Sequence, residues 1–166
     1  MDTDWAWVAG VASVTSKLVD QGWAWAALAV AAGWLAGTSV VRGALAGVVA
    51  LLAATAAYLG MDAVLLDNSL AWFWRGMLRW WFASAVFGPP LGAMGANIKR
   101  PGVIGLLAGL TVPAGAAVQM IVLPPSSTPP TGVPGAICAR VIVWVASAAA
   151  AGVVITRFGA AKSGRR

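Results

Sequence analysis

Long stretches of the chain carry no charged position and are apolar on every side, so neither a helical nor a strand-like alternation marks a single buried face. Trp23 to Val41 is one such run of 19 residues, and Gly43 to Met61 and Trp80 to Ile98 are two more. Gly102 to Leu123 gives 22 uncharged residues, and Gly135 to Thr156 forms a fifth run interrupted only by Arg140. A helix needs about 20 such residues to cross the hydrocarbon core of a bilayer. The pattern predicts an all-α integral membrane bundle of five transmembrane helices. It divides the chain into an N-terminal interfacial segment (1–20), the five-helix domain (21–157) and a basic tail (158–166).

The connections are legible in the same way. Residues Trp5 to Leu18 are apolar but too short to span, and Trp5, Val8, Val11 and Leu18 fall roughly on one helical face. That predicts a helix lying in the membrane interface. The acidic start, with no basic stretch before an apolar core, is not the pattern of a cleavable leader. Residues 124–134 (PPSSTPPTGVP) predict an extended, semi-rigid loop. Residues 62–79 form the longest other connection, with a short helix expected from Leu70 onward.

Composition sharpens this picture. Hydrophobic residues make up 60% of the chain, and only 11 Lys/Arg and 5 Asp carry charge. A soluble domain cannot build its polar skin from so few. With no His, no Glu and the single Cys138, zinc, haem and iron–sulfur sites lack ligands, and Ser-His-Asp or Cys-His chemistry lacks its base. The expectation is no metal and no cofactor. The basic balance does not indicate nucleic acid, because the cations sit in short loops between apolar runs, where they set topology.

Orientation follows from those loops. With the C-terminus in the cytoplasm, the inner side holds Arg42, Lys99, Arg100, Arg157, Lys162, Arg165 and Arg166, and the outer side Lys17, Arg75, Arg79 and Arg140. All five acids (Asp2, Asp4, Asp20, Asp62, Asp67) then fall outside. The reading is N-out, C-in, in the plasma membrane.

Small residues recur at four-residue spacing in Ala29-Gly33-Gly37, Gly43-Gly47, Gly88-Gly92 and Gly105-Gly109. Such stripes let backbones approach where lipid gives no hydrophobic drive for association. They predict close packing within the bundle, with a homo-oligomer through the same faces as the alternative. Pro89-Pro90 and Pro113 lie mid-way along spans three and four, and each removes a helical hydrogen bond. Kinks in both helices, with an outer-half cavity between them, are one expectation; kinks satisfied by neighbours are the other.

Polar groups within or beside the spans gather at the outer end. Tyr58 and Asp62 are one turn apart and share a face. Gln119 lies in the outer third of span four, and Arg140 and Trp144 are one turn apart in span five. Asp20 precedes span one and Asp67 follows span two. Eight of the ten tryptophans (Trp5, Trp7, Trp23, Trp25, Trp72, Trp74, Trp80, Trp81) belong to the outer side, with Trp34 the inner exception. An interfacial belt of aromatics accounts for many of them. Its one-sidedness also fits an aromatic-lined pocket. Aromatic faces stabilise cations, and a carboxylic acid in apolar surroundings can stay protonated and serve as a general acid. Together they meet the demand of protonating an alkene or epoxide and guiding a carbocation, as in terpene cyclisation. The aspartate-rich DDxxD cluster of the magnesium-dependent route is absent. So is the DxDD motif of the soluble acid-initiated route, of which Asp2-Thr-Asp4 is only a fragment.

The stretch GWAWAALAVAAGWLAGTSVVRGALAGVVALLAATAAYLGMDAVL (residues 22–65) is similar to small Ala/Gly-rich actinobacterial membrane proteins, many of unknown function. Five spans, small size and aromatic richness also resemble the integral-membrane terpene cyclases of actinobacterial indole-sesquiterpenoid pathways. That resemblance implies a prenylated indole as substrate, cyclised without metal by an acidic side chain. Asp62, Asp67 or Asp20 would be the acid. Tyr58 and Gln119 would orient the substrate, with Trp72, Trp74, Trp80, Trp81 and Trp144 as cation-stabilising walls. Related fungal membrane cyclases use paired acids that include glutamate, which this chain lacks. Two further readings stand beside this one: a small-molecule transport or binding subunit using the same residues, and a structural subunit of a membrane complex. No span centre carries an ionisable residue, which disfavours transport of charged substrates.

Overall fold

A computed structural model of the chain describes residues 22–66, 70–122 and 133–163, with Val11, Val14 and Thr15. For 66, 70–72, 133–136, 161 and 162 only the backbone is described. The protein is all-α. Five helices follow one another: α1 (Gly22–Leu35), α2 (Val40–Leu66), α3 (Leu70–Asn97), α4 (Val103–Val122) and α5 (Val133–Ser163). Among the described residues there is no strand. The expected interfacial helix falls outside the described residues apart from Val11, Val14 and Thr15, which are helical.

Three of the helices, α2, α4 and α5, are long and apolar enough to cross a membrane. The first span is shorter than its apolar run suggests, because α1 has 14 residues and stops at Leu35. Gly37 then takes a left-handed φ of 104°, a conformation that glycine adopts without steric cost. Ser39 starts the next helix: its carbonyl accepts from the Gly43 N–H at 2.9 Å, and its hydroxyl accepts from the Arg42 N–H at 3.5 Å. This is N-cap chemistry inside an uncharged run.

The short helix expected at Leu70 and the third span are instead one helix of 28 residues, continuous through Pro89 and Pro90. Arg75 and Arg79 lower its apolarity without breaking it. Likewise α4 is helical through Pro113. Helix α5 runs 31 residues, from inside the proline-rich segment to Ser163, so the start of the expected tail is helical. Pro134 is tolerated in its first turn, where a missing N–H costs nothing.

The chain divides into two compact units, with boundaries inside α1 and α4: a central one, Ala26–Ala108, and a second made of Met1–Trp25 with Gly109–Arg166. In the central unit α2 and α3 run antiparallel. A methyl placed on Gly43 would lie 2.6 Å from the Cβ of Ala96, one on Gly88 2.7 Å from the Cα of Val48, and one on Gly76 3.7 Å from Leu59. Positions rise along α2 as they fall along α3. On α2 the buried stripe Gly43, Gly47, Leu51, Thr55, Leu59 repeats every fourth residue, one ridge of a helix packing into its neighbour's groove.

Gly92 is the tightest point of this unit. A methyl there would overlap the Gly43 carbonyl, and one on Gly33 of α1 would overlap the Gly92 carbonyl. Gly95 bears in the same way on the Val30 carbonyl. Three of the four small-residue stripes therefore contribute to contacts inside the central unit. The exceptions are single positions: Gly37 serves the turn, and Gly105 faces the carbonyls of Arg100 and Ile98 at the start of its own helix.

In the second unit Trp23, Ala116, Met120 and Val143 form a small core, and Gly109 sits against the Val154 side chain.

Candidate functional site

The expected site residues divide between the two units. Tyr58, Asp62, Trp74, Trp80 and Trp81 belong to the central unit, Gln119 and Trp144 to the second. Asp20 and Asp67 lie outside the described residues, and for Trp72 only its helical backbone is described.

On the α2–α3 hairpin the register decides which residues meet. Leu59 lies against Gly76, so Asp62, one turn further along α2, is level with Phe73 to Gly76. Tyr58, the residue before Leu59, is level with Met77, between Trp74 and Trp80 along α3. Asp62 is half-buried. The aromatics of the hairpin are open: Tyr58 is 47% exposed, Trp74 50%, Trp80 56% and Trp81 38%. Trp74 also makes an edge-to-face contact with Phe73, at 5.6 Å between centroids and 76° between planes. The hairpin thus presents one carboxyl and one phenol among tryptophans turned outward. In a bilayer that surface is met by lipid and by molecules dissolved in lipid.

Beneath it are two polar residues that sequence reasoning passed over. Thr55 and Ser84 are buried, at 3% and 4% exposure, and are the buried polar side chains among the described residues. By the Leu59–Gly76 contact Thr55 is level with Trp80, and Ser84 stands one turn further along α3. Ser84 Oγ donates to the Trp80 carbonyl at 2.8 Å, the back-bond by which a hydroxyl is satisfied inside an apolar helix. The signal was present: Thr55 stands on the same four-residue stripe as Gly43 and Gly47.

Gln119, expected as a substrate-orienting residue, makes a structural contact in the second unit. Its Oε1 accepts the backbone N–H of Trp23 at 2.9 Å, supplying from another helix the acceptor that the first turn of α1 needs. Trp23 itself packs against the second unit's core, and its indole N–H is buried without a partner. Trp144 is 46% exposed, and Arg140, one turn away on α5, is also exposed.

The opposite end of the hairpin holds a second grouping. Lys99 Nζ stands 4.9 Å from the centroid of the Trp34 ring, a cation–π distance. Asn97 donates through Nδ2 to the Ala93 carbonyl at 2.8 Å, leaving its buried Oδ1 without a partner.

Compared with known proteins, the chain matches no family model, no curated protein and no solved structure. Any functional reading therefore stands on the residues themselves.

Proposed function

We propose that this is a five-span plasma-membrane protein, N-out and C-in, that holds a lipophilic, uncharged small molecule at the outer half of the α2–α3 hairpin. One observation supports the reading: Asp62 and Tyr58 share a face of α2 level with Phe73 to Met77 of α3, where Tyr58 and Trp74 are exposed. A ligand dissolved in the bilayer reaches it laterally. Its apolar body lies on the indole faces, and a hydroxyl or N–H at its head is bonded by Asp62 or Tyr58. Pro89, Pro90 and Pro113, each without a backbone donor, are the positions at which α3 and α4 would bend. The charge asymmetry of the loops supports the orientation.

The second reading is metal-independent terpene cyclisation at the same place, favoured by the half-buried position of Asp62 one turn from Tyr58. In this reading the acid form of Asp62 would give its proton to an alkene carbon, forming a C–H bond and a carbocation. A second alkene attacks the cation to close the ring, and loss of a proton returns Asp62 to its acid form. No oxidant, reductant or metal is consumed, and the open tryptophan faces lower the energy of the cation.

One experiment separates the two. Full-length protein in proteoliposomes is incubated with a prenylated indole, and both bound ligand and products are measured. Binding without conversion, little altered by Asp62→Asn, supports the first reading. Cyclised product that disappears in Asp62→Asn supports the second. Neither binding nor product for neutral prenyl compounds removes both.

A further inference from the structure

The Arg42 end of the central unit carries a cluster that the ligand site does not use. Arg42 directly precedes Gly43, whose position against Ala96 brings the first turn of α2 to the last turn of α3. Lys99 and Arg100 follow in the turn closed by the Arg100 N–H donating to the Asn97 carbonyl at 2.9 Å. The Lys99 ammonium over the Trp34 ring, at 4.9 Å, ties that turn to the end of α1.

All three cations are exposed, and the two turns contain no acid. Asp62, the carboxylate of this unit whose placement is described, is about 30 Å away along α2 at 1.5 Å per residue. At the same end Leu35, the last residue of α1, Val41, next to Arg42, and Val103, the first residue of α4, are 72%, 69% and 61% exposed. A free anion would use only the charges. Cations bordering outward apolar surface match an amphiphile with an anionic head and apolar tails.

We infer that Arg42, Lys99 and Arg100 hold the phosphate headgroup of an anionic phospholipid whose acyl chains lie along Leu35, Val41 and Val103. The inference is independent of the ligand proposed at Asp62. Each cation near an anionic lipid surface contributes enough for about a fivefold gain in binding, and Lys99 is held in place for the task by Trp34.

The test uses full-length protein in neutral detergent, mixed with equal amounts of dioleoylphosphatidylglycerol and dioleoylphosphatidylcholine, with retained lipid counted by native mass spectrometry. Phosphatidylglycerol should be retained preferentially. Arg100→Gln should reduce the preference about fivefold, and the triple variant R42Q/K99Q/R100Q should abolish it. The pair R75Q/R79Q, at the far end of α3, should keep it, and a large excess of inorganic phosphate should not displace the lipid. Should the triple variant fail to insert, the single substitution decides. Unchanged preference in Arg100→Gln, loss of preference in R75Q/R79Q, or displacement by inorganic phosphate would each overturn the inference.

Discussion

Gly92 of α3 and Gly43 of α2 touch backbone to backbone: a methyl group on Gly92 would occupy the place of the Gly43 carbonyl. In a lipid environment this closeness replaces the hydrophobic drive that assembles soluble cores. The central unit is accordingly held by dispersion contacts that only glycine permits, and its outward side chains are left to the bilayer.

Gly92→Ala should therefore destabilise the protein by about 1–3 kcal/mol, the usual cost of overpacking. Gly60, also in α2, has open space around its Cβ direction. Gly60→Ala should be neutral or stabilising by up to about 1 kcal/mol, since alanine is the better helix former. Thermal unfolding in detergent, followed by tryptophan fluorescence, compares the two. Equal effects would show that the close approach at Gly92 contributes nothing.

Gln119 supplies the acceptor for the Trp23 N–H. Gln119→Leu should cost about 0.5–2 kcal/mol, the range for losing a helix cap, without altering ligand affinity at the central unit. Melting temperature and ligand titration on the same sample check both halves. A folded variant with unchanged stability but lost ligand binding would instead support the substrate-orienting role read from sequence.

The helical content and the apolarity of α2, α4 and α5 were legible in the uncharged runs, because membrane helices need no periodic face to be recognised. The small-residue stripes were legible too, though spacing alone could not choose between partners inside and outside the chain. The break at Gly37–Ser39 was hidden, because turn residues without charge do not interrupt an apolar count. The role of Gln119 was hidden for another reason: its partner is 96 residues away in sequence, and no local pattern encodes that contact. Trp23 and Trp80 show the same limit, since both read as interfacial aromatics while one is half-buried in a core and the other is open.

Orientation has its own test. A reporter fused after Arg166 should be active only in its cytoplasmic form, and one inserted in the 124–134 loop only in its external form. Opposite labelling would move Asp62 to the cytoplasmic side and contradict the proposed topology.

Photolabelling probes the proposed ligand surface of the α2–α3 hairpin directly. A prenylated indole bearing a diazirine is irradiated with the protein in proteoliposomes, and the labelled residues are identified by mass spectrometry. Labelling should concentrate between Tyr58 and Asp62 and between Trp74 and Trp81. It should fall severalfold in Trp80→Ala and be competed away by the unlabelled compound. Uniform labelling of exposed residues on α5 and the hairpin alike, insensitive to competitor and to Trp80→Ala, would contradict the account and leave these aromatics as an interfacial belt.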